Sequence, residues 1–175
     1  LSVLILLYSR CRSNCFLSKN YHLFIFVNAT IPALLVMTRV PEGDLNRYIE
    51  WNSYAASLNL IEFLIFMEFR ELGYLVLTYV ISNLPFYNSM VYLFIVVFIS
   101  YYLILYASYI VCVHARVNYK FVLIFFLAII SFGPMLALSS QLVRQFIASA
   151  IVMLFFALSL IRHKYPWWLL VLAGT

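Results

Sequence analysis

The sequence predicts an all-α fold, a polytopic transmembrane helical bundle, and three observations predict it. Of the 175 residues 66% are hydrophobic and only 10% charged, against about a quarter charged in a soluble domain. The mean hydropathy is +1.02. The charged side chains are also clumped, which leaves charge-free intervals at 20–38, 72–115, 121–143 and 145–161, close to the ~20 apolar residues that carry a helix across a bilayer. This composition excludes a soluble enzyme, a disordered tail, a disulfide-stapled secreted module and, despite the net charge of +5, a nucleic-acid binder. In such a chain an excess of Lys and Arg speaks first about orientation.

The elements follow in order. Residues 1–9 form an apolar run that opens on Leu1 and is too short to cross, so it reads as a truncated span. A signal peptide is not expected there, because no charged stretch precedes the run and no small-residue cleavage site follows it. A complete span is expected at 21–38. The 72–115 interval is interrupted by the turn-type cluster Asn83-Leu-Pro-Phe-Tyr-Asn88, which leaves a good span at 89–111 and a short piece before it. Further spans are expected at 121–138 and 145–161. The apolar 166–175 reads as a second truncated span, so the chain is expected to be a single-domain fragment of about four complete spans and two partial ones.

The short piece at 72–82 crosses only if Glu62, Glu68, Arg70 and Glu71 are dragged into the bilayer, at ~2.5–3.5 kcal/mol for each central charge. With the piece kept on one side, Arg10, Arg12, Lys19, Arg116, Lys120, Arg162 and Lys164 fall on the cytoplasmic face, leaving only Arg39, Arg47, Arg70 and Arg144 outside. The alternative reverses that balance, so the positive-inside rule selects the first topology. All six carboxylates, Glu42, Asp44, Glu50, Glu62, Glu68 and Glu71, then lie on the external face, in one segment at 39–88. Within it, 58–71 reads as an amphipathic surface helix and 71–82 as a short helix that dips into or re-enters the membrane.

Chemistry is therefore sought outside. Cys11, Cys15 and Cys112 lie in or beside cytoplasmic loops, where a disulfide is not expected, and Cys11-x3-Cys15 with His22 makes an incomplete metal site. His22, His114 and His163 read as solvated loop residues at cytoplasmic helix ends. Tyr102, Tyr106 and Tyr109 form a helical stripe on the inner half of their span, explained by an interfacial aromatic belt better than by a sugar platform. No metal and no cofactor is expected.

Arg144 is the sharpest signal. Ser139-Ser140 can cap a helix that starts at the outer surface, and a cation in that first turn opposes the helix dipole. An anion held by the free N–H groups of the helix start and by the guanidinium fork compensates it, with Gln145 as an additional donor. A snorkelling interfacial arginine is the competing reading. Pro134 after Gly133 loosens the preceding helix near the same face. Arg39 is weaker, since a cation at an outgoing helix end is favoured anyway. In Arg39-Val-Pro-Glu-Gly-Asp44-Leu-Asn-Arg-Tyr48, Gly43 permits a tight turn and Asp44 can cap the next helix, with Tyr48 on the same face one turn later. Glu71, beside Gly73-Tyr74, is either solvated or poised at the membrane surface with a raised pKa.

Those residues match a pattern. An Arg after the second span, then Gly-Asp-x-x-x-Tyr, then Glu71-Leu-Gly-Tyr74 in place of Glu-Pro-Gly-Tyr, then Arg144-Gln145-x-x-Ala148 opening a later helix, resembles the EpsG family of bacterial exopolysaccharide polymerases, related in role to the Wzy polymerases. The likeness covers almost the whole chain. Leu72 departs from the family's Pro, and a His-containing motif of the family falls in the helix beginning near Trp167, beyond the point where this chain ends. The resemblance implies a glycosyltransferase-type polymerase in the bacterial cytoplasmic membrane, joining polyprenyl-diphosphate-linked oligosaccharide repeats for exopolysaccharide or capsule on the outer face, with other polysaccharide assembly proteins as partners. It implies Asp44, Glu71 and Arg144 as catalytic residues and Arg39, Tyr48, Tyr74 and Gln145 as substrate-binding ones. A lipid-linked sugar flippase or other transporter uses the same arginine without a base. A membrane acyltransferase needs an acyl donor and, in general, a histidine that the external face of this chain does not offer.

Overall fold

The computed structural model of the chain describes residues 14–38, 44–68, 72–85, 88–133 and 143–162, with Trp168 and Val171. Seven helices and no strand are found among the described residues: α1 Asn14–Met37, α2 Asp44–Ser57, α3 Leu60–Phe66, α4 Leu72–Ser82, α5 Ser89–His114, α6 Tyr119–Ser131 and α7 Val143–Arg162.

Three of them are long and apolar enough to cross a membrane, along Asn20–Met37, Ser89–His114 and Val143–Ile161. They coincide with the spans expected at 21–38, 89–111 and 145–161. The span expected at 121–138 is described only as the apolar α6, which ends at Ser131 before Gly133; its remainder lies outside the described residues, as do 1–9 and all of 166–175 but Trp168 and Val171.

α5 is the axis of the bundle. Its apolar side chains are distributed all round, which suits a helix covered on every side, and α1 and α7 both pack along it while α2, α4 and α6 touch it as well. Small residues let the backbones approach: Ala29 and Ala33 of α1, Ser100, Ala107 and Ser108 of α5, and Ala150 and Ala157 of α7 are all buried. The hydroxyls are disposed of locally. Ser100, Ser108 and Ser159 each donate to the carbonyl four residues back, at 2.8, 2.8 and 2.7 Å, so no partner outside the helix is needed.

The segment between α1 and α5 differs from its expectation in one respect. The surface helix expected over 58–71 is the seven-residue α3. Asn59 and Glu62 form a reciprocal capping box, with Asn59 Oδ1 accepting from the Glu62 N–H at 2.9 Å and Glu62 Oε2 accepting from the Asn59 N–H at 3.3 Å. At the other end Glu68 takes a left-handed φ of 55°, which stops the helix. What fixes that stop is packing: Phe63 is fully buried against Ala55 of α2 and Leu75 of α4, with Met67 beside it.

Candidate functional site

The site grows from the faces that α2 and α4 bury. In α2, Leu45, Tyr48, Asn52 and Ala55 recur at helical spacing and all four are buried, pressed onto α4. Tyr48 stands edge-on to Tyr74 at 5.9 Å between ring centroids and edge-on to Trp51 at 5.6 Å. α4 buries Tyr74, Leu75, Thr78, Ile81 and Ser82. Its Tyr74 hydroxyl is hydrogen-bonded to the Tyr92 hydroxyl, which the Thr78 hydroxyl also approaches at 3.4 Å.

Tyr92 is delivered by the start of α5. Asn88 caps that helix, its Oδ1 accepting from the Val91 N–H at 2.7 Å, and the next residue is the fully buried Tyr92. Burial first, and then the neighbouring Tyr92 and Tyr48 hydroxyls, hold the Tyr74 phenol well above the ordinary tyrosine value, with Thr78 opposing weakly. Tyr74 is therefore a neutral hydroxyl at any physiological pH, able to donate and accept.

α7 completes the cluster. Val143 and Ile147 are buried in the same apolar group as Leu45, Tyr48, Tyr74 and Tyr92, and Arg144, in the first turn between them, is half-buried. Gln145 is exposed, its carbonyl accepting from the Ser149 hydroxyl at 2.8 Å. Four stretches far apart in sequence thus converge: the helix that Asp44 begins, the helix that follows Glu71, the start of α5 and the first turn of α7.

The sequence-derived residues divide accordingly. Tyr48 and Tyr74 meet each other, and Arg144 rises from a turn whose neighbours pack on them. Asp44 is the first residue of α2, with only its backbone described, while Arg39, Glu71, Ser139 and Ser140 lie outside the described residues.

Two members of the cluster were not singled out from sequence. Tyr92 lies 18 residues from Tyr74, and no local periodicity connects them. Asn52 is 0% exposed, and among the described residues neither atom of its amide has a hydrogen-bond partner, a condition that costs about 1–3 kcal/mol for a buried polar group. Its signal in the sequence is that an amide interrupts an otherwise apolar stripe.

His22 is a correction. It is exposed, as expected, but not a loop residue: it lies within α1, and its Nδ1 is 2.7 Å from the Tyr102 hydroxyl. Tyr21 and His22 cover the stripe of Tyr102, Tyr106 and Tyr109, with Tyr21 stacked on Tyr109 at 4.6 Å. The stripe is helix-packing surface between α1 and α5. Cys112 is a half-buried free thiol on α5. Among the described residues no group of three or more His, Cys, Asp or Glu side chains comes close enough to hold a metal.

No protein-family model, no curated protein and no solved structure matches the chain.

Proposed function

We propose that the chain is the membrane part of a glycosyltransferase-type polymerase that joins polyprenyl-diphosphate-linked oligosaccharide repeats at the outer face of the bacterial cytoplasmic membrane. One observation supports the reading. The short, separate elements that carry the resemblance run into a single cluster, in which Tyr48, Tyr74 and the residues flanking Arg144 are packed together. Arg144, half-buried in the turn whose Val143 packs on these tyrosines, carries a guanidinium fork suited to an anion at the membrane surface.

In the reaction, the acceptor hydroxyl attacks the anomeric carbon of the donor. The bond from that carbon to the diphosphate oxygen breaks, and its electron pair leaves with the diphosphate. Arg144, joined by Arg39, stabilises the charge that develops there. The acceptor's proton passes to a carboxylate, Asp44 or Glu71. Tyr48, Tyr74 and Gln145 offer rings and polar groups to the sugars.

Polymerisation of a lipid-linked repeat by the full-length protein tests the proposal. Arg144→Lys keeps the charge but loses the planar fork, and Arg144→Ala loses both, so activity is expected in the order Arg, Lys, Ala, with Ala down at least ~100-fold. Asp44→Asn or Glu71→Gln abolishes elongation at unchanged membrane level. A fully active Arg144→Gln protein reduces the residue to a headgroup anchor, and donor binding without bond formation by the unaltered protein assigns the chain to transport.

A further inference from the structure

The other end of the bundle carries a feature that the polymerase reading does not use. Between the last turns of α5, the first turns of α6 and the second half of α7 lies a groove of about 650 Å³. Its lining is apolar apart from Ser108 and Cys112, and it extends along α7 from Met153 to Leu160, roughly 10 Å at 1.5 Å per residue. Val111, Cys112 and Val117 wall it where α5 ends, and Phe121 where α6 begins.

The mouth is basic. α5 ends one residue before Ala115 and Arg116, Lys120 is the second residue of α6, and Arg162 ends α7; Lys164 follows two residues later, and no carboxylate occurs after Glu71. Arg116 itself occupies an uncommon position. The Arg116 N–H bonds the Val113 carbonyl at 3.1 Å and the Val117 N–H bonds the Cys112 carbonyl at 2.9 Å, the paired bonds of a Schellman cap, whose left-handed residue is normally glycine. Here an arginine holds it, with φ 54°. The same cap sets Val117 over Cys112 as groove wall and leaves Arg116 exposed beside it.

We propose that this groove binds one acyl chain of an anionic phospholipid, whose phosphate is held at the mouth by Arg116. An acyl chain matches an apolar groove that runs along α7 from Met153 to Leu160 and opens where α5 and α7 end and α6 begins. The exposed Arg116, in a stretch of sequence without a carboxylate after Glu71, selects an anionic over a zwitterionic headgroup. The inference is independent of the polymerase reading, since it uses none of the same residues.

The test is native mass spectrometry of the protein released from nanodiscs made of equal parts phosphatidylglycerol and phosphatidylcholine. The unaltered protein is expected to retain phosphatidylglycerol preferentially. Arg116→Gln should cut that preference about fivefold, the contribution of one basic group near a charged headgroup, and Arg116→Lys should keep most of it. Ala128→Phe fills the groove from an exposed position and should remove bound lipid of both kinds, whereas Ala128→Ser should not. A preference untouched by Arg116→Gln, or lipid retention untouched by Ala128→Phe, overturns the proposal. So does a lipid-free dimer, or an Ala128→Cys, Leu170→Cys pair that crosslinks within one chain and excludes lipid, because either shows protein in the groove.

Discussion

The two ends of this bundle solve the same problem in opposite ways. At one end α2, α3 and α4 fold over the start of α5 and α7, so that Tyr48, Tyr74, Tyr92 and Phe63 are buried by short helices of the chain itself. At the other end α5, α6 and α7 part around an apolar groove whose walls include the exposed Phe121, Ile124 and Phe156. The charges divide along the chain as the packing does: all six carboxylates precede α4, and no carboxylate follows it, whereas Arg116 stands exposed beside the groove. A polar amide and phenols can be enclosed where protein supplies the cover. Where the surroundings are hydrocarbon the bundle needs no such cover, because lipid tails are as apolar as its side chains.

The comparison breaks first on topology, where the effect is all or none. A membrane-impermeant thiol reagent is expected to label engineered cysteines at Asn46 and Ser57 from outside and to leave one at Asn118 protected. Labelling of Asn118 from outside reverses the two faces and takes the carboxylates away from the external site.

Next in size is the cover itself. Phe63 is 0% exposed, and Phe63→Ala should cost about 3–5 kcal/mol, read as lost hydrogen-exchange protection in α2, α3 and α4 while α6 and the groove end of α7 keep theirs. Equal loss at both ends makes the bundle one cooperative unit and erases the distinction drawn here.

A smaller effect belongs to the cap of α3. Asn59→Ala removes the Oδ1 that accepts from the Glu62 N–H and should weaken Leu60–Phe66 by ~1 kcal/mol, again measured by amide exchange. The smallest sharpens the basic end: Arg116→Gly relieves the left-handed backbone and should raise stability by up to about 1 kcal/mol while lowering anionic-lipid retention. A loss of stability instead means that the guanidinium stabilises the cap more than its backbone conformation costs.

The long apolar helices were legible because the need that shapes them is local: a span must be about 20 residues long and nearly free of charge, and residues 20–37, 89–114 and 143–161 satisfy this without reference to one another. The same holds for Tyr48 one turn after Asp44; the end of α6 at Ser131 was not legible in this way, since the span was expected to run on through Gly133 and Pro134 to residue 138. The short elements were less so. The sequence pattern over 58–71 is amphipathic throughout, yet α3 stops at Phe66, with Glu68 left-handed and Phe63 buried in one cluster with Leu75, a residue of another helix.

What the sequence alone determined, then, is the all-helical class, the positions of three membrane-length helices and the separation of acidic from basic residues along the chain, since each follows from composition and spacing within one stretch. Tertiary structure decided which stretches meet. It paired Tyr74 with Tyr92, turned His22 from a loop residue into a partner of Tyr102 80 residues away, buried the amide of Asn52 and opened the groove beside Arg116. Each of these depends on how side chains from different helices fill one volume, and that filling is a property of the packed bundle that no single periodic stretch encodes.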